Sequence, residues 1–111
     1  MTDKAIRLTF AKDEAPRYQD GKIIAQNMVP GAVKAPILLD WVCLEPNVVT
    51  GEEIHPINKI FSIVGGAGKV FVGDEVLQVG RGDVVWCPSM LPHHFAASET
   101  EPLELTVTKW K

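Results

Sequence analysis

The chain is poor in cysteine. Cys43 and Cys87 are its only two among 111 residues, and they form no Cys-x-x-Cys pair. That excludes a disulfide-stapled scaffold and a four-cysteine zinc site. In a reducing compartment the two stand as free thiols. Runs of lysine or arginine are missing too, and the net charge is -3. A nucleic-acid partner or an anionic membrane surface is therefore not indicated. No apolar stretch approaches the ~20 residues that span a bilayer. The N-terminus, MTDKAIRLTFAKDEAPR, is charged throughout and lacks the apolar core of a signal peptide. A cytoplasmic location, away from membranes, is the expectation. An amphipathic helical stripe of useful length is also missing. So are internal repeats, low-complexity tracts and linkers, which leaves one domain over residues 1–111.

What is present is a series of short strand-like runs punctuated by turns. Lys22 to Val29 lies between Asp20-Gly21 and Pro30-Gly31, and Ile37 to Glu45 ends at Pro46-Asn47. Lys59 to Val64 alternates before Gly65-Gly66-Ala67-Gly68. Lys69 to Val72 then runs into Gly73-Asp74, a hairpin pair. Glu75 to Val79, Asp83 to Cys87, His93 to Ser98 and Leu103 to Trp110 complete the set. Turn signals every eight to twelve residues predict an all-β sandwich or barrel. Core packing is the first expectation for Trp41 and Trp86, and Trp110 is placed to cap the barrel or a partner.

Residues Gly51 to Phe95 resemble the cupin family. Its second motif reads glycine, five residues, proline, one residue, glycine, two residues, histidine, three residues, asparagine. In GRGDVVWCPSMLPHHF, Gly82, Pro88 and His93 stand at that spacing, while Met90 and Ala97 replace the second glycine and the asparagine. Anchored on Gly66, the first motif (His-x-His, then Glu, then Gly) falls on Glu53, His55 and Lys59. The resemblance implies a jelly-roll barrel, a double-stranded β-helix, with its conserved core at about residues 37–110. It also implies a divalent metal, such as iron, zinc, nickel or manganese, held at one end of the barrel. Cupins of this size are commonly homodimers, and residues 1–30 are candidates for the dimer interface.

Carried over by position, Glu53, His55 and His93 become the candidate metal ligands. Residues 53 and 55 share one face of a strand, so two nitrogens and a carboxylate converge, a set that suits non-haem iron or zinc. Lys59 stands where the family has glutamate, and an ammonium repels a cation. It either orients an anionic substrate group, as a catalytic residue, or pairs with Glu53 in a metal-free pocket. A third reading leaves His55 in a surface loop and His93 as a satisfied core residue. Phe61, Ile63 and Phe95, by strand parity, and Cys87 and Met90, by position, are the candidate substrate-pocket residues. His94 faces the other way on the same strand.

Two functions follow. One is a metal-dependent enzyme (oxygenase, isomerase, lyase or decarboxylase) acting on a small organic molecule. The other is a metal-free module that binds or senses a small acid or sugar through Lys59.

Overall fold

Alternating apolar residues dominate the chain from Leu38 onward, and they fold as strands with one face inward. The computed structural model describes residues 5–31 and 35–111. Among the described residues a 3-10 turn, Lys12–Glu14, precedes eight strands. These are β1 (Arg17–Tyr18), β2 (Ile23–Asn27), β3 (Leu38–Leu44), β4 (Asn58–Val72), β5 (Glu75–Gly80), β6 (Val84–Cys87), β7 (His93–Ala97) and β8 (Leu103–Trp110). All pairings are antiparallel. One sheet runs β1-β2-β3-β8-β4-β6, and the other is β5-β4-β7. The two sheets face each other as the expected jelly-roll barrel.

β4 belongs to both sheets. Asn58 to Gly66 pairs with β8, and Ala67 to Val72 pairs with β5. The sequence predicts a turn at Gly65–Gly68, yet the chain runs straight through it as strand. The glycines serve close approach instead. A β-carbon on Gly66, at φ +72°, would lie 1.7 Å from the carbonyl oxygen of Pro102, and one on Gly68 would lie 2.2 Å from that of Ala96. An irregularity in register between Ile63 and Gly65 lets the strand bend from one sheet to the other.

The inward positions of β4 (Phe61, Ile63, Val70, Val72) meet Leu44, Val85, Leu103 and Leu105 in the core. Parity puts the tryptophans elsewhere, which corrects the core expectation for both. Trp86 lies opposite Ile60 on the outer face, is 52% exposed and stacks on Trp110 at 5.6 Å. Trp41 stacks on Phe10 outside the barrel at 5.2 Å, and its indole N–H donates to Glu104 Oε2 at 2.6 Å. β1 and β2 extend the chain's own sheet beside β3. Of the N-terminal stretch expected at a dimer interface, residues 1–4 lie outside the described residues.

Met90 marks a departure in the second motif. It adopts φ +71°, the left-handed region in which the family's glycine is unstrained. Met90→Gly should therefore raise stability by about 0.5–1 kcal/mol, the relief of strain exceeding the entropy cost of glycine. Urea unfolding would show the gain as a higher midpoint at unchanged slope.

Candidate functional site

Backbone pairing assembles the site. Glu53 and His93 sit directly opposite one another and exchange two hydrogen bonds, Glu53 N–H to His93 O at 3.0 Å and His93 N–H to Glu53 O at 2.9 Å. Opposed residues project to the same face. His55 is tied down by its carbonyl, which accepts from the N–H of Met90 at 2.9 Å. Lys59 enters from β4, between Cys87 on β6 and Lys109 on β8.

The Lys59 amine lies on both imidazoles. Its Nζ is 2.7 Å from His55 Nδ1 and 3.0 Å from His93 Nε2. The His93 tautomer follows from its second ring nitrogen. His93 Nδ1 is 3.1 Å from the carbonyl of Leu91, to which it donates, so Nε2 is left as an acceptor. His55 Nε2 faces Glu53 Oε2 at 3.5 Å. An ammonium on Lys59 has only N–H groups to offer, so in that form it donates to both rings. The Glu53–Lys59 pair, one of the two alternatives for Lys59, is not formed, and the carboxylate faces His55 instead.

Lys59 is 6% exposed and has no carboxylate within ion-pair distance among the described residues. Burial holds its amine below the ordinary lysine value, with Glu53 working against the shift and Lys109 adding to it. His93 is held below the ordinary histidine value, first by burial. The Leu91 hydrogen bond opposes that shift, and the Lys59 charge reinforces it. Neighbouring Lys109 is neutralised by Asp40 at 2.6 Å.

These groups open on a cavity of about 420 Å³ at one end of the barrel. Ile23, Val42, Phe61, Phe95 and Val107 supply apolar wall. Phe61 packs edge-on against Phe95 at 4.8 Å and lies 5.7 Å from the His93 ring. The other three expected pocket residues lie outside this wall. Ile63 and Cys87 are buried in the core, at 3% and 1% exposure. Met90 is 59% exposed on a turn whose backbone, not side chain, reaches His55. His94 stacks on Phe71 at 4.1 Å. Sequence reasoning missed Asp40 and Lys109, although each shares the parity of buried neighbours on its strand. It also missed Tyr18, which lines the cavity from β1 and has no local signal.

Glu53, His55 and His93 each offer a donor atom, and these atoms lie within 4.8 Å of one another. By residue type the set could hold a divalent ion. The close grouping suits an ion as well, with the Lys59 amine as a competing neighbour of the two imidazoles. A protonated amine there repels a cation.

An uncharacterized protein of Streptomyces coelicolor, SCO3923, is 31% identical over 52 residues, 47% of this chain and 50% of that protein. The chain thus spans about half the length of the curated relative it matches. A Cupin 2 conserved barrel domain protein from Salinispora arenicola superposes with a TM-score of 0.83 at 22% identity, over 99% of this chain and 91% of that one. The polyketide cyclase RemF from Streptomyces resistomycificus superposes with a TM-score of 0.75 at 14% identity, over 94% and 79%. The family profile described as the cupin domain matches residues 40–109, from Asp40 on β3 to Lys109 on β8, and the chain belongs to that family.

Proposed function

We propose that this cupin is an enzyme that takes a small organic molecule into the barrel, with Lys59 meeting a carboxylate or carbonyl oxygen of that substrate. The observation that carries the reading is the Lys59 amine held between two imidazole nitrogens at the cavity wall. A lysine that merely stabilised the fold would be paired with a carboxylate, as Lys109 is with Asp40. Apolar walls with a few polar groups at one end suit a small substrate. The likeness to a barrel described as a polyketide cyclase accords with organic chemistry inside this fold.

The test is ligand-observed NMR with a panel of small carboxylates and 2-oxo acids, comparing the parent with Lys59→Met. Binding in the parent should weaken by at least about tenfold in the variant, the loss of one charge-assisted hydrogen bond. Carboxylate binding should also fall as pH rises through the Lys59 value. That value lies below that of an ordinary lysine, so the loss comes earlier in pH than for an exposed amine. Equal binding by parent and variant would overturn the reading.

A second reading, a metal-dependent enzyme on Glu53, His55 and His93, has the close grouping of those donors in its favour. Near-stoichiometric iron, zinc, nickel or manganese in protein purified without added metal, lost in His93→Ala, would establish it.

We further propose a homodimer in the cytoplasm. The support is the exposed outer face, where Trp86 and Val84 are 52% and 64% exposed beside Trp110. Sedimentation equilibrium should give twice the chain mass for the parent and the single mass for Trp86→Glu. A monomeric parent would remove this proposal.

A further inference from the structure

Strand parity sets a second polar group beside Lys59. The inward positions of β8 run Leu103, Leu105, Val107 and Lys109, and those of β3 run Leu44, Val42 and Asp40. Two apolar rows thus end, at the open end of the barrel, in a lysine and an aspartate that line the cavity. Lys109 stands opposite Lys59 in the β4–β8 register, and Asp40 stands opposite Val107 across the other edge of β8. Opposed residues on antiparallel strands have α-carbons about 5 Å apart and project to one face. Lys59 and the Asp40–Lys109 pair are therefore neighbours on one wall. Lys109 Nζ donates to Asp40 Oδ2 at 2.6 Å, which compensates both charges. Their hydrogen-bonding capacity is not used up. An ammonium has three N–H groups and a carboxylate two oxygens. Among the described residues, the one hydrogen bond that either head group makes is with the other. Asp40 Oδ1 and two Lys109 N–H groups are left for a ligand.

We infer that Asp40 and Lys109 are specificity-determining residues of this cavity, and that its ligands are 2- or 3-hydroxy acids with an apolar tail. This rests on the proposed meeting of Lys59 with a substrate carboxylate and adds a second point of recognition to it. A hydroxyl is both donor and acceptor. It donates to Asp40 Oδ1 and accepts from Lys109, a combination that neither residue offers alone. In a 2- or 3-hydroxy acid the hydroxyl-bearing carbon is one or two bonds from the carboxyl carbon. That short span matches head groups carried on neighbouring strands. The tail lies against Val42, Phe61, Phe95 and Val107, the apolar wall of the same cavity. An acid without the hydroxyl turns an alkyl chain toward two charged groups, displaces their water and replaces none of its hydrogen bonds. The pair thus selects for the hydroxyl and against its absence.

The probes are hexanoate, 2-hydroxyhexanoate and 3-hydroxyhexanoate, titrated into the whole chain by ligand-observed NMR. The quantity read is the Kd of hexanoate divided by that of each hydroxy acid. In the parent this ratio should reach at least about ten for one of the two, the worth of a hydrogen bond to charged groups. The double variant Asp40→Leu/Lys109→Met should bring it close to one. Removing both partners together leaves no buried charge unpaired, so the fold is kept. Asp40→Asn, which keeps the size and one oxygen, is the second variant and should lower the ratio about threefold. General damage to the barrel weakens all three acids alike, so the ratio separates recognition from damage. Lys59→Met should weaken all three. A parent ratio near one overturns the inference, and the anchoring role stands if Lys59→Met still weakens every acid. A ratio unchanged in both pair variants overturns it too, since the hydroxyl is then held elsewhere. If the parent binds none of the three, the anchoring reading and this inference fall together.

Discussion

Lys59→Glu should give the chain a divalent-metal site at least about a hundredfold tighter than the parent's. The variant removes a cation that lies 2.7 and 3.0 Å from two imidazole nitrogens. It puts a carboxylate where the family motif has glutamate. Two charges about 4 Å apart interact by about 4 kcal/mol at an effective dielectric of 20, per unit charge. Turning that interaction from repulsive to attractive for a doubly charged ion is a larger change than the hundredfold asked for, even after solvent and side-chain motion reduce it. The donors Glu53, His55 and His93 already lie within 4.8 Å of one another, so little rearrangement is needed. His93 keeps the hydrogen bond from Nδ1 to Leu91 that directs Nε2 into the site. Titration calorimetry with zinc and nickel at neutral pH reads the effect. Adding His93→Ala to the variant should abolish the gain. An affinity that is unchanged or lower would mean that Lys59 does not keep metal out.

The second large effect is on folding. Gly66→Ala should cost at least about 4 kcal/mol or prevent folding altogether, in the range reserved for severe steric conflict. Backbone strain and a steric clash both act there. The left-handed φ of +72° costs about 1–2 kcal/mol for any residue with a β-carbon. The clash costs more, since the new carbon would lie 1.7 Å from the Pro102 oxygen and 2.7 Å from its carbonyl carbon. Neither backbone atom can move away without disturbing the pairing of β4 with β8. Gly21→Ala isolates the backbone strain, because Gly21 has φ +83° and nothing within 4 Å of the added carbon. It should cost only about 1–2 kcal/mol. Urea unfolding of both variants checks the contrast, and equal losses would show that the clash relaxes.

Much of the strand pattern was legible in the sequence. Leu103 to Trp110 alternates cleanly and is β8, residue for residue. His93 to Ser98 and Ile37 to Glu45 were each set to within a residue at either end of β7 and β3. Alternation works there because each strand has one face in the core and one outside. It failed in two ways. Gly65–Gly68 looks like a turn, since local rules cannot tell a glycine that bends a chain from one that lets another backbone approach. Trp41 and Trp86 look like core residues by size, yet parity alone places them outside. Consistent use of parity would have corrected them and would also have added Asp40 and Lys109 to the site.

The residues of the site were legible as well, but not their connections. The succession of strand-like runs, the spacing from Gly82 to His93 and the positions of Glu53, His55 and Lys59 all follow from the chain itself. They determined the barrel and which side chains would gather at one end of it. Which atom meets which was decided only by tertiary structure. The Glu53–His93 bridge, the Leu91 carbonyl on His93 and the entry of Lys59 from a different strand together turn both imidazoles toward one amine. Charge along the chain left Lys59 two roles, anchoring an anionic substrate group or pairing with the carboxylate of Glu53. In the folded protein that carboxylate faces His55 and leaves the amine to the two rings. Hydrogen bonds depend on direction as well as charge, and direction is set only once three separate segments have been brought together.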